Sequence, residues 1–382
     1  MAASSEVLPL TSVAQISKEW LASILNLKMK SPVNIESLET NIPNSKAGFL
    51  SDICFVKAVC TIENTTHDLA LIVKLMPQHA EIVAFMKRGN LGEREVAFYK
   101  HAGSEEFLKF CHVSGLDHPV PEVYWSSLKD NSLTLVLRDL NAKGYRMHLL
   151  PEGNKLQQIK CTFKAIAVIH AFGCNAISKH GKEYFHVPYD SGYLNDIVCL
   201  GLEMLIDMLK GSPLAETFTS LVSMHKDMIS TSDKYPLIET LVHGDLWAGN
   251  VMFTEDDKAA SIFDWQFACV GNPLCDITSM LLMSAEPSVY ENHLNEVLEC
   301  YWESFTNALM KNNVEIAITF ESIISNLEKL WMHGFMFFTA SLPDMMGNGK
   351  ITEARVQKAI SFLDRIGVFT TFITDHKGLN QQ

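Results

Sequence analysis

Positive charge is the first thing this sequence is short of. Its 382 residues carry 31 Lys and Arg against 44 Asp and Glu, a formal net charge of −13. A chain this acidic repels phosphate polymers and anionic lipid in general, so nucleic acid and the membrane surface are poor first guesses as partners. Cysteine pairs at metal or redox spacing are missing too. Nine cysteines run from Cys54 to Cys300 without a CxxC among them, which excludes a zinc ribbon and a thioredoxin-type pair. The opening MAASSEVLPL has neither the basic nor the apolar region of a secretory signal. No apolar run approaches the length of a membrane span, and the closing HKGLNQQ matches no lipidation or retrieval address. The Asn64-Thr65-Thr66 sequon is therefore expected to be idle. Internal repeats and low-complexity tracts are absent as well. Together these absences predict a thiol-reduced, cytoplasmic globular protein with no integral membrane segment and no protein partner.

Apolar material is plentiful. Hydrophobic residues make up 47% and charged residues 20%, enough for a sizeable core, and the length fits two to three domains. Cys54, Val56, Ala58, Cys60 and Ile62 alternate with a mixed face, and Leu69, Leu71, Val73 and Leu75 do the same after a polar turn at Asn64–Asp68. That period of two predicts a hairpin ended by Pro77. A helix is expected over Gly92–Ala102, then a second hairpin, Val123–Leu128 with Leu133–Leu137, turned at Lys129-Asp130-Asn131. From about Pro151 the period becomes helical, with Ile159, Phe163, Ile166, Ala167 and His170 on one face. Further helices are expected over 195–210, 215–230, 289–311, 315–341 and 352–374. The reading is an α+β fold with a small β-rich lobe, residues 1–140, and a larger α-rich lobe, residues 141–382. Such chains commonly place a site between their lobes.

The chemistry concentrates in Leu241–Asp276, LVHGDLWAGNVMFTEDDKAASIFDWQFACVGNPLCD. Asp245 precedes Asn250 by five positions, and Asp264 follows fourteen later. Phosphoryl transfer needs such a set: a carboxylate to orient the acceptor hydroxyl and take its proton, and oxygen ligands to hold Mg²⁺ on a triphosphate. Residues between Asn250 and Asp264 read as strand, polar turn (Thr254–Lys258), strand. A hairpin there brings its two ends together. The bland alternative is a loop in which Asp245 and Asn250 cap helices or make Asx turns. A Walker-type loop is excluded, because Gly347-Asn348-Gly349-Lys350 is followed by Ile351 and preceded by Asp344 where the first Gly belongs.

HGDLWAGN followed by IFDWQFACVGNP resembles the catalytic and metal loops of the aminoglycoside phosphotransferase and choline kinase superfamily. Within it, the Trp after Asp-Leu and the Asp-Trp-Gln look most like the ecdysteroid kinase-like (CHK kinase-like) family. The resemblance runs from about Gly48 to the C-terminal helices and implies a bilobal, protein-kinase-like fold with ATP between the lobes. It implies a catalytic base at Asp245 and Mg²⁺ ligands at Asn250 and Asp264. It makes His243 and Asp276 structural braces of the catalytic loop. In the first lobe it implies an ATP-contacting Lys74 held by Glu95, with Glu93 a competitor for the second role. KAGFLSDICF takes the place of the phosphate-covering loop, with Gly48 and Ser51 as its contacts. LVLRDL takes the place of the strand and hinge that hold adenine, with Leu137 and Asp139 as its contacts. Relatives often carry an acid where Arg138 stands.

The resemblance points to a small hydroxylated acceptor, a lipophilic and possibly ecdysteroid-like metabolite. Two alternatives stand beside it: a choline-, ethanolamine- or aminoglycoside-type kinase with a cationic acceptor, and a silent kinase fold that only binds. Trp302, Trp331, Phe335 and Phe338 lie at helical spacing and suit a core or an acceptor pocket.

Overall fold

Alternation of apolar and polar residues does its predicted work in the first 145 residues. In a computed structural model, which describes residues 7–43, 50–116, 119–188 and 191–379, five strands form one antiparallel sheet. They are β1 (Val33–Asn41), β2 (Asp52–Ile62), β3 (Thr65–Leu75), β4 (Val123–Lys129) and β5 (Ser132–Arg138), in the order β1-β2-β3-β5-β4. Both predicted hairpins are present, and both turns are tighter than expected. Glu63-Asn64 and Asp130-Asn131 all have positive φ, from 49° to 65°, the pattern of a two-residue turn whose twist matches the flanking strands. Thr65 therefore already belongs to β3 rather than to the turn.

One face of the sheet is sealed by the helix Lys18–Met29. Ser17 starts that helix by accepting the Trp20 N–H at 3.1 Å. Its Leu21, Ile24 and Leu25 pack with Val56, Leu71 and Val73 of the sheet in one buried cluster. Neither this helix nor β1 is among the sequence expectations. The link between β3 and β4 is also richer than the single helix foreseen: it holds Ala80–Arg88, Leu91–Ala102 and Glu105–Ser114.

The chain divides into two compact units, one running through Leu108 and resuming over Val120–Tyr145, the other formed by Lys109–Pro119 and Arg146–Gln382. The mixed α+β composition thus separates into a β-rich N-terminal part and a larger helical part. The second unit is built around Leu156–His180, whose residues are buried almost throughout. This helix is long and apolar enough to cross a membrane, contrary to the reading that no apolar run approaches that length. In the structure 83% of its apolar window is buried inside the protein, the setting of a core helix. It follows the two-residue strand β6 (Arg146–Met147) and packs against Leu294–Lys311 and the short strand β7 (Thr240–Val242). The helix Phe320–Gly347 packs against Leu274–Ser284 and Asn195–Met208. Gly334 permits the first of these contacts, since a Cβ there would stand 2.8 Å from Thr278.

Several expected helices are broken into two. Residues 353–379 form Glu353–Arg365 and Val368–Leu379, separated at Gly367, whose φ of 78° ends the first. Breaks also fall at Met224 and at His293. Phe335 and Phe338 are fully buried and belong to the core, whereas Trp331, 2% exposed, also lines a cavity of the second unit with Tyr290, Met332 and Phe362.

Candidate active site

The segment that carries the chemistry folds as turns between very short strands of the second unit. β7 leads into the loop His243–Asn250. β8 (Val251–Phe253) and β9 (Ala260–Ile262) pair antiparallel, after which the chain reaches Asp264 and β10 (Cys269–Gly271), which returns to pair with β7. The hairpin between Asn250 and Asp264 is the expected one. Its ends are tied by the Phe263 N–H, which donates to Asn250 O at 3.0 Å.

Asp245 and Asn250 are in direct contact. The Asn250 amide Nδ2 donates to Asp245 O at 2.9 Å and to its Oδ2 at 3.1 Å. Both donations come from the nitrogen, so the amide oxygen is left uncommitted among the described residues. Burial pushes the Asp245 carboxyl up to about 8, with the nearby charge of Asp264 adding to it and the Asn250 hydrogen bond opposing it. Asp264 is half-buried and sits in the left-handed region, φ 63°, a conformation Asp tolerates better than most residues.

The loop is held from beneath by one helix, Leu274–Ser284. Near its start, Asp276 accepts the His243 N–H at 2.6 Å, the Gly244 N–H at 2.9 Å and the His170 Nε2–H at 3.1 Å. Burial opposes ionisation of Asp276, but the hydrogen bond and charge of His170, then His243, outweigh it and hold the carboxyl below its ordinary range. At the helix's last residue, the Ser284 hydroxyl accepts the Ala248 N–H at 2.7 Å. Ser284 and Ala248 are 1% and 4% exposed, so water does not offer a substitute. Sequence reading found Asp276 and missed Ser284, which stands 36 positions from its partner in a residue type common at helix ends.

His243 is locked in one protonation state. Nε2 lies 2.9 Å from Phe263 O, which can only accept, and Nδ1 receives the Asp245 N–H at 3.2 Å. The ring is therefore neutral with its proton on Nε2, and burial keeps its pKa below the ordinary value against the pull of Asp276. It braces backbone, as the motif implies.

In the first unit, Lys74 on β3 and Glu95 on Leu91–Ala102 form an ion pair at 2.7 Å, 7% and 0% exposed. Glu95 rather than Glu93 takes this place. Leu137 lies within β5, between Ile72 and Val123. Asp139 spends its N–H on Ala70 O at 3.0 Å and its carboxylate on the Asn141 N–H at 2.9 Å, so its side chain serves a local turn. Arg138 pairs with Glu122 at 3.0 Å. Ser51 immediately precedes β2, and Gly48 lies outside the described residues.

Comparison with known proteins agrees with the motif. The profile of the ecdysteroid kinase-like family matches residues 45–314. No curated protein matches by sequence. Among solved structures, a Plasmodium vivax ethanolamine kinase is similar at 15% identity, over 87% of this chain and 82% of its own, with a TM-score of 0.41. A choline/ethanolamine kinase family protein from Mesorhizobium loti is similar at 13% identity, over 87% of each chain, with a TM-score of 0.42. Aminoglycoside 2'-phosphotransferase-IIIa, solved as its GDP complex, is similar at 10% identity over 92% of this chain and 98% of its own, with a TM-score of 0.41.

Proposed function

The chain belongs to the ecdysteroid kinase-like family, and we propose that it transfers the γ-phosphoryl group of ATP to a hydroxyl of a lipophilic small molecule, for which an ecdysteroid-like alcohol is the first candidate. The observation that carries this reading is the Asp245–Asn250 contact. The Asp245 carboxyl is anchored by an amide nitrogen, and the amide oxygen remains available as a ligand.

Roles follow from the chemistry of each group. Asp245 orients the acceptor hydroxyl for in-line attack and accepts its proton late in the transfer. Positioning is the larger contribution, because a carboxylate is too weak a base to deprotonate an alcohol beforehand. The Asn250 amide fixes that carboxylate's rotamer. Asn250 Oδ1 and Asp264 fit Mg²⁺, a hard ion that takes oxygen donors with one or two protein carboxylates and, when bound, neutralises phosphate charge. In the first unit, the Lys74 ammonium is aimed by Glu95 and supplies a point charge for the α- and β-phosphates. Ser51 and Gly48 are assigned to the phosphates, and Leu137 and Asp139 to the adenine through main chain.

Replacement of Asp245 by Asn tests the assignment. Phosphate transfer to a panel of hydroxylated steroids, choline and aminoglycosides should fall by about 10²-fold or more. Calorimetric Mg-ATP affinity should stay close to that of the parent. A variant that keeps near-parental turnover removes Asp245 from the role.

A further inference from the structure

The second unit holds a cavity of about 1290 Å³ that the mechanism above does not use. Its walls come from Leu294–Lys311, Phe320–Gly347, Glu353–Arg365 and Val368–Leu379, and no residue of Leu241–Asp276 is among those that line it. Helix geometry separates the two places. Gly334 faces Leu274–Ser284, the helix that holds the His243–Asn250 loop. At about 100° per residue, the cavity residues Glu328, Lys329 and Met332 each stand more than a quarter turn from Gly334. The cavity and the loop therefore lie on different sides of Phe320–Gly347.

The inner wall of the cavity is apolar and aromatic. Tyr290, Trp331 and Met332 are each 2% exposed and Phe362 5%. The Tyr290 hydroxyl is buried without a hydrogen-bond partner among the described residues, a cost that a bound ligand can relieve. Two rings of the lining already attract the protein's own cations. The Arg365 guanidinium carbon lies 5.8 Å from the Phe362 centroid, and Lys329 Nζ lies 5.6 Å from that of Tyr235.

Charge around the cavity is unbalanced. Lys and Arg supply three of the lining charges, Asp and Glu five. Arg365 pairs with Glu291 at 3.3 Å, Lys234 with Asp227 at 3.5 Å, and Glu296 with Lys160 and His293. Asp375 is hydrogen-bonded to Tyr235. Glu299, on Leu294–Lys311, and Glu328, on Phe320–Gly347, are exposed and have neither an ion pair nor a hydrogen bond among the described residues.

We propose that this cavity is a second binding site, distinct from the place of phosphoryl transfer, for a small organic cation: an ammonium that meets Glu299 and Glu328, on an aromatic or aliphatic body that lies against Tyr290, Trp331 and Phe362. The inference does not depend on phosphoryl transfer. An anion would meet two uncommitted carboxylates of its own sign, and a neutral ligand would leave them unused. A protonated or quaternary amine uses both the carboxylates and the aromatic wall. Ordinary small-molecule pockets measure about 300–1,000 Å³, so the cavity has room for such a ligand.

The experiment is calorimetric titration of the full-length protein with 2-phenylethylammonium and with benzyltrimethylammonium, using 2-phenylethanol as the neutral control. Both cations should bind saturably, and the alcohol should bind more weakly by about tenfold or more. Glu299→Gln/Glu328→Gln removes two exposed charges and leaves the buried wall intact, so it should lose about tenfold in affinity for the cations. Asp245→Asn should bind them as the parent does. Absence of saturable binding by both cations, equal affinity for the alcohol, or parental affinity in the double Gln variant overturns the proposal. Loss of binding in Asp245→Asn would put the cation at the transfer site and overturns it as well. Failure of the parent to phosphorylate any acceptor, with cation binding intact, counts against the proposed function and leaves this second site standing.

Discussion

Breaking a buried ion pair costs more than forming it contributes, and Lys74–Glu95 makes that asymmetry measurable. Both groups are buried, so losing one strands a charge in a poorly solvating interior. Glu95→Ala should destabilise the protein by about 3–5 kcal/mol, whereas Lys74→Met/Glu95→Leu should recover most of that loss in urea unfolding. Asp276 gives a pH-dependent counterpart. Its folded pKa lies below the ordinary value, so its contribution is full above the unfolded pKa of about 4 and is lost as pH falls through the lower, folded value. Asp276→Asn should therefore be about 3–5 kcal/mol less stable than the parent at neutral pH. The difference should shrink as the medium is acidified below pH about 4, followed by the same unfolding curves. At this scale, sequence reading succeeds where partners are near in the chain. Asp245 and Asn250 are five residues apart and legible as a unit. Ala248 and Ser284 are 36 residues apart, joined only by folding, and neither type is unusual where it stands.

Among the elements, Leu274–Ser284 stands out because it grips the His243–Asn250 loop twice, by Asp276 near its first turn and by Ser284 at its last residue. The distance between those grips is set by helical rise, about 1.5 Å per residue, and so is the placement of the residues between Gly244 and Ala248. Ser284→Ala leaves the buried Ala248 N–H without a partner, at a cost of about 1–3 kcal/mol. Turnover should fall several-fold or more, with melting temperature and kcat both lowered and ATP affinity without Mg²⁺ little changed. Parental kcat in that variant would show that the second grip is dispensable. The hairpins were readable because period-two alternation with Asn at the turns is a local signal. Lys18–Met29 was not, because it buries a narrow stripe of three residues and exposes or half-exposes the rest. Helix breaks at Met224 and His293 likewise leave the apolar period intact, and the break at Gly367 falls inside the single helix expected over 352–374 because the apolar period resumes beyond it.

For the molecule as a whole, a net charge of −13 sets a condition on binding an anionic nucleotide: local cations must compensate. Mg²⁺ with ATP should raise the melting temperature by more than ATP with a chelator, corresponding to about 2.7 kcal/mol at a ligand concentration a hundredfold above Kd. Equal shifts with and without the metal would dissociate Asn250 and Asp264 from it. The division into a β-rich and a larger helical part was legible from the change of period. The assignment of Lys109–Pro119 to the second unit was not, since nothing local marks which core a short stretch joins. The contact at Gly334 bears on how the second unit holds its shape. It lets Phe320–Gly347 ride directly on Leu274–Ser284, the rod that grips the His243–Asn250 loop at both of its ends. Any bulkier side chain at that crossing would wedge the two rods apart, and the shim of one missing methyl group thereby sets how closely the floor under the loop can seat.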